Sequence, residues 1–399
     1  AIDSAAFGDA VEIADGTYHE RNLNLKTGLT IRSQGALGGV TIDAEGAGRI
    51  FYGSGLDSLV FEGLILTNGY DASGAALTLW SCRDVEVRNC QFLANSTFSA
   101  IGGAMLVSTG SSIVIADCLF RDNDCLLDDG GALWLSTGAA EVVRCTFAAN
   151  HAVNGGAISC SGPGARIADC VFAGNSAFNG GALDFRANTA IVTGCLFVGN
   201  TATRGGAVGC WYESTPELTS CTFAENGASD AGGAVYCTST AVARIERSII
   251  AFNTGGGAVV CSLDGGAILA CTDVHGNGGG DWTGCLAGQA GVNGNFTADP
   301  LFCAGDDGPT WRLRADSPCL PDVSPCAQLV GAFGQDCPVA AVPGMAAGAS
   351  VRLLGNHPNP FNPRTSIVFV LERRTAVDLR IYDVAGRLVR VLAVAEQLE

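Results

Sequence analysis

Residues 170–207 have the sequence CVFAGNSAFNGGALDFRANTAIVTGCLFVGNTATRGGA, which contains one complete repeat and the start of the next. Cys-x-Phe-x-x-Asn is followed by a short segment and Gly-Gly-Ala, and the order begins again at Cys195, about 25 residues after Cys170. Three short apolar or alternating runs, 182–185, 190–192 and 195–197, lie within one period. Such runs predict half-buried β-strands, and no part of the stretch has a helical period.

The unit occurs in six complete copies, with degenerate copies on both sides. Ile65 and Asn68, with Gly74-Ala75 as the glycine motif, belong to an upstream copy, and Ser248 and Cys271 begin two degenerate downstream copies. The repeated phenylalanines and asparagines of the complete copies are Phe92, Phe120, Phe147, Phe172, Phe197 and Phe223, and Asn95, Asn123, Asn150, Asn175, Asn200 and Asn226.

Three strands per unit at a near-constant period predict a coil whose neighbours stack in parallel. Each coil rises by about 4.8 Å, so roughly ten coils form a rod about 50 Å long. We therefore predict an all-β chain in which residues 1–298 form a right-handed parallel β-helix. A doubly wound α/β fold is excluded because the period leaves no room for helices between the strands.

The repeated Cys and Phe are two residues apart and should point inward as stacked ladders. A second inward row contains Val107, Leu135, Cys160, Phe185, Cys210, Cys237 and Cys261. Because cysteine exchanges there with valine, leucine and phenylalanine, it is interpreted as a buried hydrophobe. The parallel Cβ directions of stacked cysteines favour free thiols over disulfides between coils.

The repeated asparagine should stack on its equivalents and satisfy backbone groups at the turn. Residues that tolerate a left-handed backbone stand before several repeat cysteines: Asn89, Asp117, Asp169 and Gly194. They predict a tight bend between the second and third strands of each unit. All these roles are structural, so no catalytic residue is expected at the repeat positions.

The composition excludes several classes of function. The chain of 399 residues has a net charge of −17, and Lys26 is its only lysine, so nucleic acid and anionic membrane surfaces are unsuitable partners. The sequence contains no stretch of 18 or more apolar residues, so no transmembrane helix is predicted. The 18 cysteines favour an oxidising compartment. Ala1 lies inside an ongoing pattern, so we expect that the natural N-terminus is missing.

From residue 61 to about 280, the alternation of Phe-x-x-Asn with Gly-Gly-Ala resembles the repeat of the chlamydial polymorphic membrane proteins. This resemblance implies a secreted or surface-exposed β-helix that takes part in adhesion. The opening, Gly8 to Tyr18, looks like the first coil of many secreted bacterial β-helix proteins with a pectate-lyase-like solenoid.

Residues 299–337 resemble the closing segment of the same broad group and are predicted to cap the last coil, whose strand edge would otherwise be open. This segment contains Cys303, Cys319, Cys326 and Cys337, which have no repeat to stack on. They are disulfide candidates, and three pairings are open if all four are bridged.

Residues 338–350 are rich in Ala, Gly, Pro and Val without a pattern and are predicted to be a linker. The remaining segment, 351–399, contains Pro-Asn-Pro-Phe-Asn-Pro at 358–363 and alternating runs at 366–371, 377–382 and 388–392. It resembles an incomplete Ig-like C-terminal sorting domain of type IX secretion substrates. The resemblance implies a secretion machinery as partner and a location on the bacterial cell surface, associated with the outer membrane.

Function on such a rod should lie on outward strand positions and adjacent loops. Outward positions two and four residues after each motif alanine include Trp134, Asp184, Arg186, Trp211 and Tyr236. Aromatic rings beside a few polar groups are typical of a sugar-binding surface. The alternative is that loops or a neighbouring domain cover these rings.

Metal binding has weaker support. Asp122, Asp124, Asp128 and Asp129 are close in sequence and could bind Ca²⁺, although a solvated acidic loop also explains them. The four histidines are far apart and predict no zinc site.

Three functions remain open. The first is a surface adhesin or glycan-binding module without catalysis. The second is a polysaccharide lyase or glycoside hydrolase, which would need a carboxylate pair or a Ca²⁺ cluster beside the outward face, with Asp184 and Arg186 as its candidates. The third is a structural stalk whose outward face binds nothing.

Overall fold

The structure is a computed structural model that describes residues 1–35, 38–108, 110–137, 139–162, 164–304 and 310–337 with their side chains. It describes the backbone alone at 305, 308–309, 351–357, 366–371, 375–382 and 388–398. The chain divides into two compact units, Ala1–Cys337 and Pro338–Glu399.

The first unit is a parallel β-helix, as predicted, with about ten coils. Three long sheets run along it, and every neighbouring strand pair within them is parallel. Sheet 1 contains Ala10–Ile13, Thr30–Ser33, Asp57–Glu62, Arg83–Arg88, Ser112–Ala116, Ala139–Val143, Arg166–Ala168, Ile191–Thr193, Glu217–Thr219, Val242–Glu246 and Gly266–Ala270. Sheet 2 contains Gly16–Tyr18, Val40–Asp43, Leu64–Thr67, Gln91–Leu93, Leu119–Arg121, Thr146–Ala148, Val171–Ala173, Leu196–Val198, Thr222–Ala224, Ile249–Ala251 and Asp273–His275.

Sheet 3 follows the Gly-Gly-Ala motif in each coil. It contains Leu23–Asn24, Phe51–Ser54, Leu77–Trp80, Met105–Val107, Leu133–Leu135, Ile158–Cys160, Leu183–Arg186, Val208–Trp211, Val235–Cys237 and Val259–Cys261. Two short 3₁₀ helices, Ile2–Ser4 and Gly284–Leu286, are the helices of the described residues, and neither is long enough to cross a membrane.

A fourth sheet differs from the prediction of three strands per coil. The segments between the repeated asparagine and Gly-Gly also pair in parallel, because adjacent coils leave loops of similar length with their backbone groups in register. Sheet 4 contains Tyr70–Asp71, Ser96–Thr97, Asp124–Asp129, His151–Asn154, Ser176–Asn179, Thr201–Arg204 and Gly227–Ala231.

The six repeated phenylalanines form a continuous stack inside the coil. All six are fully buried, and successive ring centroids are 4.6 to 5.0 Å apart with nearly parallel planes. The coil rise sets this spacing, which brings the rings into direct van der Waals contact. The stack fills the core from Phe92 to Phe223.

The repeated asparagines form a hydrogen-bonded ladder from Asn95 to Asn277. In the middle, Asn175 Nδ2 donates to Phe147 O at 3.0 Å and to Asn200 Oδ1 at 2.9 Å. Its Oδ1 accepts from the backbone N–H of Asn150 at 3.0 Å and from Asn150 Nδ2 at 2.9 Å. Both ends of each amide are therefore used, which explains how a polar side chain can be fully buried here.

The repeat cysteines of the six complete copies are buried free thiols, whereas Cys271 of a degenerate copy forms a disulfide. In the second inward row, burial raises the pKa of the Cys160 thiol to about 12, so it stays protonated and unreactive. Cys261 differs from that prediction, since it is only half-buried and forms a disulfide with Cys285. The predicted bends have left-handed backbones, with φ between 53° and 66° at Asn89, Asp117, Asp169 and Gly194.

The end of the β-helix is closed by residues 282–286, whose Trp282, Cys285 and Leu286 pack against the core. From the predicted cap, residues 299–337, Trp311 packs against Leu196 and Ala224 on the outer face of sheet 2. That face carries apolar side chains, and covering them is more favourable than leaving them in water.

The disulfides differ from the predicted pairings, which joined only cysteines within residues 299–337. Cys303 is bonded to Cys337, and the pair ties the antiparallel hairpin Phe302–Gly305 and Gly308–Leu313 to the end of the first unit. Cys326 is bonded to Cys271 of the β-helix. Cys319 is a buried free thiol 3.5 Å from Asp273 Oδ2, because the folded-back segment places it beside that carboxyl.

The second unit contains four described strands in two antiparallel pairs. Val351–His357 pairs with Ser366–Leu371, and Thr375–Tyr382 pairs with Leu388–Leu398. The predicted linker 338–350 and the proline-rich string 358–363 lie outside the described residues. The Ig-like sorting domain therefore remains a prediction.

Candidate functional site

The candidate site lies on the outer face of sheet 3, where the sequence predicts two outward columns. The first column is largely covered: Leu106, Ser159 and Asp184 are fully buried and Tyr236 is 7% exposed. The chain returns across this face at the Gly-Gly pair, and a Cβ at Gly180 would lie 2.1 Å from Leu183 O. The expected exposure is not found at these four positions, because the Gly-Gly segment lies against the column, whereas Trp134 in the same column is half-buried.

A buried network replaces that exposed column. Asp184 Oδ1 accepts a hydrogen bond from Trp211 Nε1 at 2.6 Å, and its Oδ2 accepts one from Arg186 Nε at 2.9 Å. Arg186 Nη1 also lies 3.3 Å from Asp129 Oδ2, on a strand of sheet 4 two coils earlier. One guanidinium thus bridges two carboxylates of different coils.

The network continues along sheet 4. Asn154 Nδ2 donates to Asp129 Oδ1 at 2.7 Å, and Asn179 Nδ2 donates to Asn154 Oδ1 at 2.7 Å. These three residues are paired in register, each directly before a Gly-Gly pair. The ladder fixes the Asp129 carboxylate in the position that Arg186 reaches.

Burial controls the electrostatics of the site. Burial raises the pKa of Asp184 to about 7; the Arg186 charge opposes this rise and the Asp129 charge adds to it. Burial also raises the pKa of Asp129, against the effect of Arg186 and Asn154. Although burial opposes the charge of Arg186, the two carboxylates hold the pKa of its guanidinium above the ordinary value. Arg186 is therefore a fixed cation.

Trp211 is held in place from two sides. Its Nε1 is bonded to Asp184, and its ring centroid is 5.4 Å from that of Tyr236. Tyr236 is fixed in turn by a 2.6 Å hydrogen bond between its hydroxyl and Ser262 Oγ, with the Arg204 guanidinium 6.0 Å from its ring centroid. Trp211 stays half-buried, so the network orients a partly accessible indole.

The four aspartates of the predicted calcium site do not converge. Asp122 lies 3.3 Å from Arg121, Asp124 lies 3.0 Å from His151, and Asp129 belongs to the Arg186 network. The pairing of the strand Asp124–Asp129 has a register shift between Cys125 and Asp129, and the Asp128 charge adds to the rise that burial causes in the pKa of Asp129. Within the described ranges, no group of three or more His, Cys, Asp or Glu side chains is placed to hold a metal.

Both carboxylates of the network are shielded from solvent. Asp184 has no exposed surface and Asp129 is 7% exposed, so neither carboxylate can contact a substrate as placed. Glycoside hydrolysis requires two carboxyl groups that flank the scissile bond. Accessible chemistry at the site therefore consists of the Trp211 ring and the partly exposed Arg186 guanidinium.

Sequence reasoning missed two parts of this face. Asp129 joins the network of Asp184, and the sequence signal for this is only that Asp129 directly precedes a Gly-Gly pair. Trp80 also lies on the outer face and is 40% exposed. Leu77 pairs with Met105, which aligns Ala76, not Ala75, with the motif alanine of the next coil. Ala75 stands where the second glycine of the motif is expected, so the register of this coil could not be recognised from the motif.

Comparison with known proteins supports the architecture. A family model described as a right handed beta helix region matches residues 130–297. A comparison with curated protein sequences gave no match.

Three solved structures are similar to this chain. A mannuronic acid specific polysaccharide family 6 lyase from human gut microbiota is 13% identical, with 69% of this chain and 75% of that chain covered and a TM-score of 0.41. The surface adhesin PfbA of Streptococcus pneumoniae is 11% identical, with coverages of 67% and 78% and a TM-score of 0.45. The pectate lyase Pel9A is 13% identical, with coverages of 84% and 90% and a TM-score of 0.43. Each is similar to this chain in fold alone.

Proposed function

We propose that the outer face of sheet 3 binds a glycan without catalysis, on a protein that acts outside the cell or at its surface. The observation that carries this proposal is the indole of Trp211, which is partly accessible and held by Asp184 and Tyr236. A ring that is already oriented loses little side-chain entropy on binding. It therefore offers a rigid platform on which the apolar face of a sugar ring can stack.

Arg186 supplies the polar part of the proposed site. It pairs in register with Trp211 on the adjacent strand of sheet 3, and 30% of its side chain is exposed. Its Nε and Nη1 are occupied by Asp184 and Asp129, which leaves further guanidinium N–H groups for sugar hydroxyls. An aromatic platform beside fixed donors is the usual composition of a sugar site.

The same geometry argues against a lyase or hydrolase at this face. Asp184 and Asp129 are both shielded, and Arg186 is held as a cation, which prevents it from acting as a base. A structural stalk is the remaining alternative, and it would leave the accessible Trp211 ring without a ligand.

The cellular location and the secretion partner are proposals as well. Three disulfides suit an oxidising compartment. The resemblance of residues 351–399 to a sorting domain supports export by a type IX secretion machinery and attachment at the outer membrane.

A glycan array probed with the full chain tests the proposal, followed by calorimetry on each hit with Trp211→Ala. Loss of one stacking platform should weaken binding by about tenfold or more. Tyr70→Ala is the matched control, because Tyr70 is an aromatic residue 43% exposed on sheet 4, away from the network.

Unchanged affinity in Trp211→Ala would show that the site lies elsewhere. Release of reducing or unsaturated sugars from a hit would replace the proposal with an enzymatic function. An array without any hit would favour the structural stalk.

A further inference from the structure

We infer that the ligand of this face is an extended, neutral polysaccharide that runs parallel to the β-helix axis along a track of three tryptophans, Trp80, Trp134 and Trp211. This inference rests on the proposed function and specifies its ligand. It adds two binding positions to the one at Trp211 and states the direction in which the polysaccharide lies.

The first observation is where the tryptophans lie. The chain has five tryptophans, and these three lie on the outer face of sheet 3. They belong to the strands Leu77–Trp80, Leu133–Leu135 and Val208–Trp211, which are two and then three steps apart in the strand order. With about 4.8 Å per step, Trp80 and Trp211 are roughly 24 Å apart along the axis.

The second observation is that all three rings reach the surface. Trp80 is 40% exposed, whereas Trp134 and Trp211 are half-buried. Partial burial fixes each ring and still leaves part of it accessible, as stacking on a sugar requires. Each of these strands carries one tryptophan, so a ligand lying across a single coil would meet one platform only.

The third observation concerns the positions between the platforms. Trp80 and Trp211 stand in the second outward column, with Ser108, Ser136, Ser161 and Arg186 between them, whereas Trp134 stands in the neighbouring first column. Ser108 is buried, Ser136 is half-buried and Ser161 is exposed, so the polar side chains open to a ligand lie nearer to Trp211 than to Trp80. The hydroxyl of the exposed Ser161 and the guanidinium of Arg186 provide polar contacts of the kind that a sugar uses.

The repeat of the surface suits a repeating ligand. One coil advances by about 4.8 Å, which is similar to the length of one sugar unit in an extended chain. About five units would therefore extend from Trp80 to Trp211. The three rings are two and three coils apart, and a polymer that reaches more than one of them is favoured over an isolated sugar, because each further contact is made without a new loss of overall motion.

The charge balance favours a neutral polymer. Arg186, the cation of the two outward columns, is compensated by Asp129 and Asp184, and nearby Arg204 is paired with Asp230 at 2.8 Å. The whole chain has a net charge of −17, which repels a polyanion. Uronate polymers are therefore expected to bind more weakly than uncharged ones.

Calorimetry of the full chain with neutral oligosaccharides of increasing length tests this inference, with cello-, xylo- and manno-series from the disaccharide to the hexasaccharide as probes. We expect affinity to rise by at least tenfold over the best series. Trp80→Ala should remove most of that gain with length, whereas Trp211→Ala should weaken the binding of every length. Trp80→Leu keeps apolar contacts and should give the same loss, and Tyr70→Ala should bind like the natural chain.

The outcomes separate this inference from the proposed function. Equal affinity for the disaccharide and the hexasaccharide, with Trp80→Ala like the natural chain, would overturn the track and leave a single site at Trp211. Tighter binding of oligogalacturonate than of every neutral series would overturn the neutral class. If no oligosaccharide binds the natural chain, the proposed function fails together with the track.

Discussion

Replacement of Asp184 by asparagine should flatten the pH dependence of stability. The pKa of Asp184 is raised from its ordinary value of 3.8 to about 7 in the folded chain, mainly by burial. Between those two values the folded state therefore binds more protons than the unfolded state. The contribution of Asp184 to the free energy of unfolding is therefore fully present below about pH 4 and is lost as the pH rises towards 7. At about 1.36 kcal/mol per pKa unit, the loss amounts to at most about 4 kcal/mol.

Asparagine cannot titrate, so the slope contributed by this position should disappear in Asp184→Asn. The substitution also weakens the contact with Arg186 and lowers stability at every pH, which makes the slope the informative quantity. Urea unfolding followed by tryptophan fluorescence, without reductant and across the range from about pH 4 to pH 8, provides the free energy of unfolding.

Asp230→Asn is the matched control, because the Asp230 side chain is 54% exposed and also pairs with an arginine. Its profile should run parallel to that of the natural chain. If the profile of Asp184→Asn also runs parallel to it, the buried carboxyl does not titrate as argued, and the description of the network is wrong.

Two further predictions concern the framework. Asn175→Ala removes four buried hydrogen bonds and leaves the backbone N–H of Asn150 without its acceptor, so it should lower the free energy of unfolding by about 2–4 kcal/mol. Urea unfolding measures this loss. Asn24→Ala, at an exposed asparagine, is the control and should change stability little. Burial also raises the pKa of Asp273 to about 7, while Ala298 N–H and the Cys319 thiol donate to its carboxyl, with Asp281 and Asp299 nearby. The contribution of the Asp273 carboxyl to stability is therefore lost between about pH 4 and pH 7. Limited proteolysis of residues 299–337 should increase towards pH 8 in the natural chain and should increase much less in Asp273→Asn.

The sequence alone was sufficient to predict the β-helix, since its evidence is local and repeated. A phenylalanine such as Phe172 and an asparagine such as Asn175 contact their own equivalents one period away. The repeat therefore predicts both the residues and their neighbours. The bends at Asn89 and Asp117 were predictable for the same reason, because a left-handed backbone restricts the residue type at one position.

The candidate site could be predicted only in part. Trp211 and Arg186 were identifiable as outward residues from the strand period. Burial of Asp184 was not, because it depends on how the segment before Gly180 folds back over the neighbouring strand. Trp80 was missed because one alanine replaced a motif glycine.

The amino-acid sequence by itself determined the coil, its period and the inward ladders, because those contacts join residues at a fixed separation. Tertiary structure decided what no fixed separation encodes. It joined Asp129 to Arg186 across two coils, paired Cys271 with Cys326, and packed Trp311 against sheet 2. These contacts depend on the lengths and paths of non-repeating segments, and a side chain becomes buried there only when a distant part of the chain arrives to cover it.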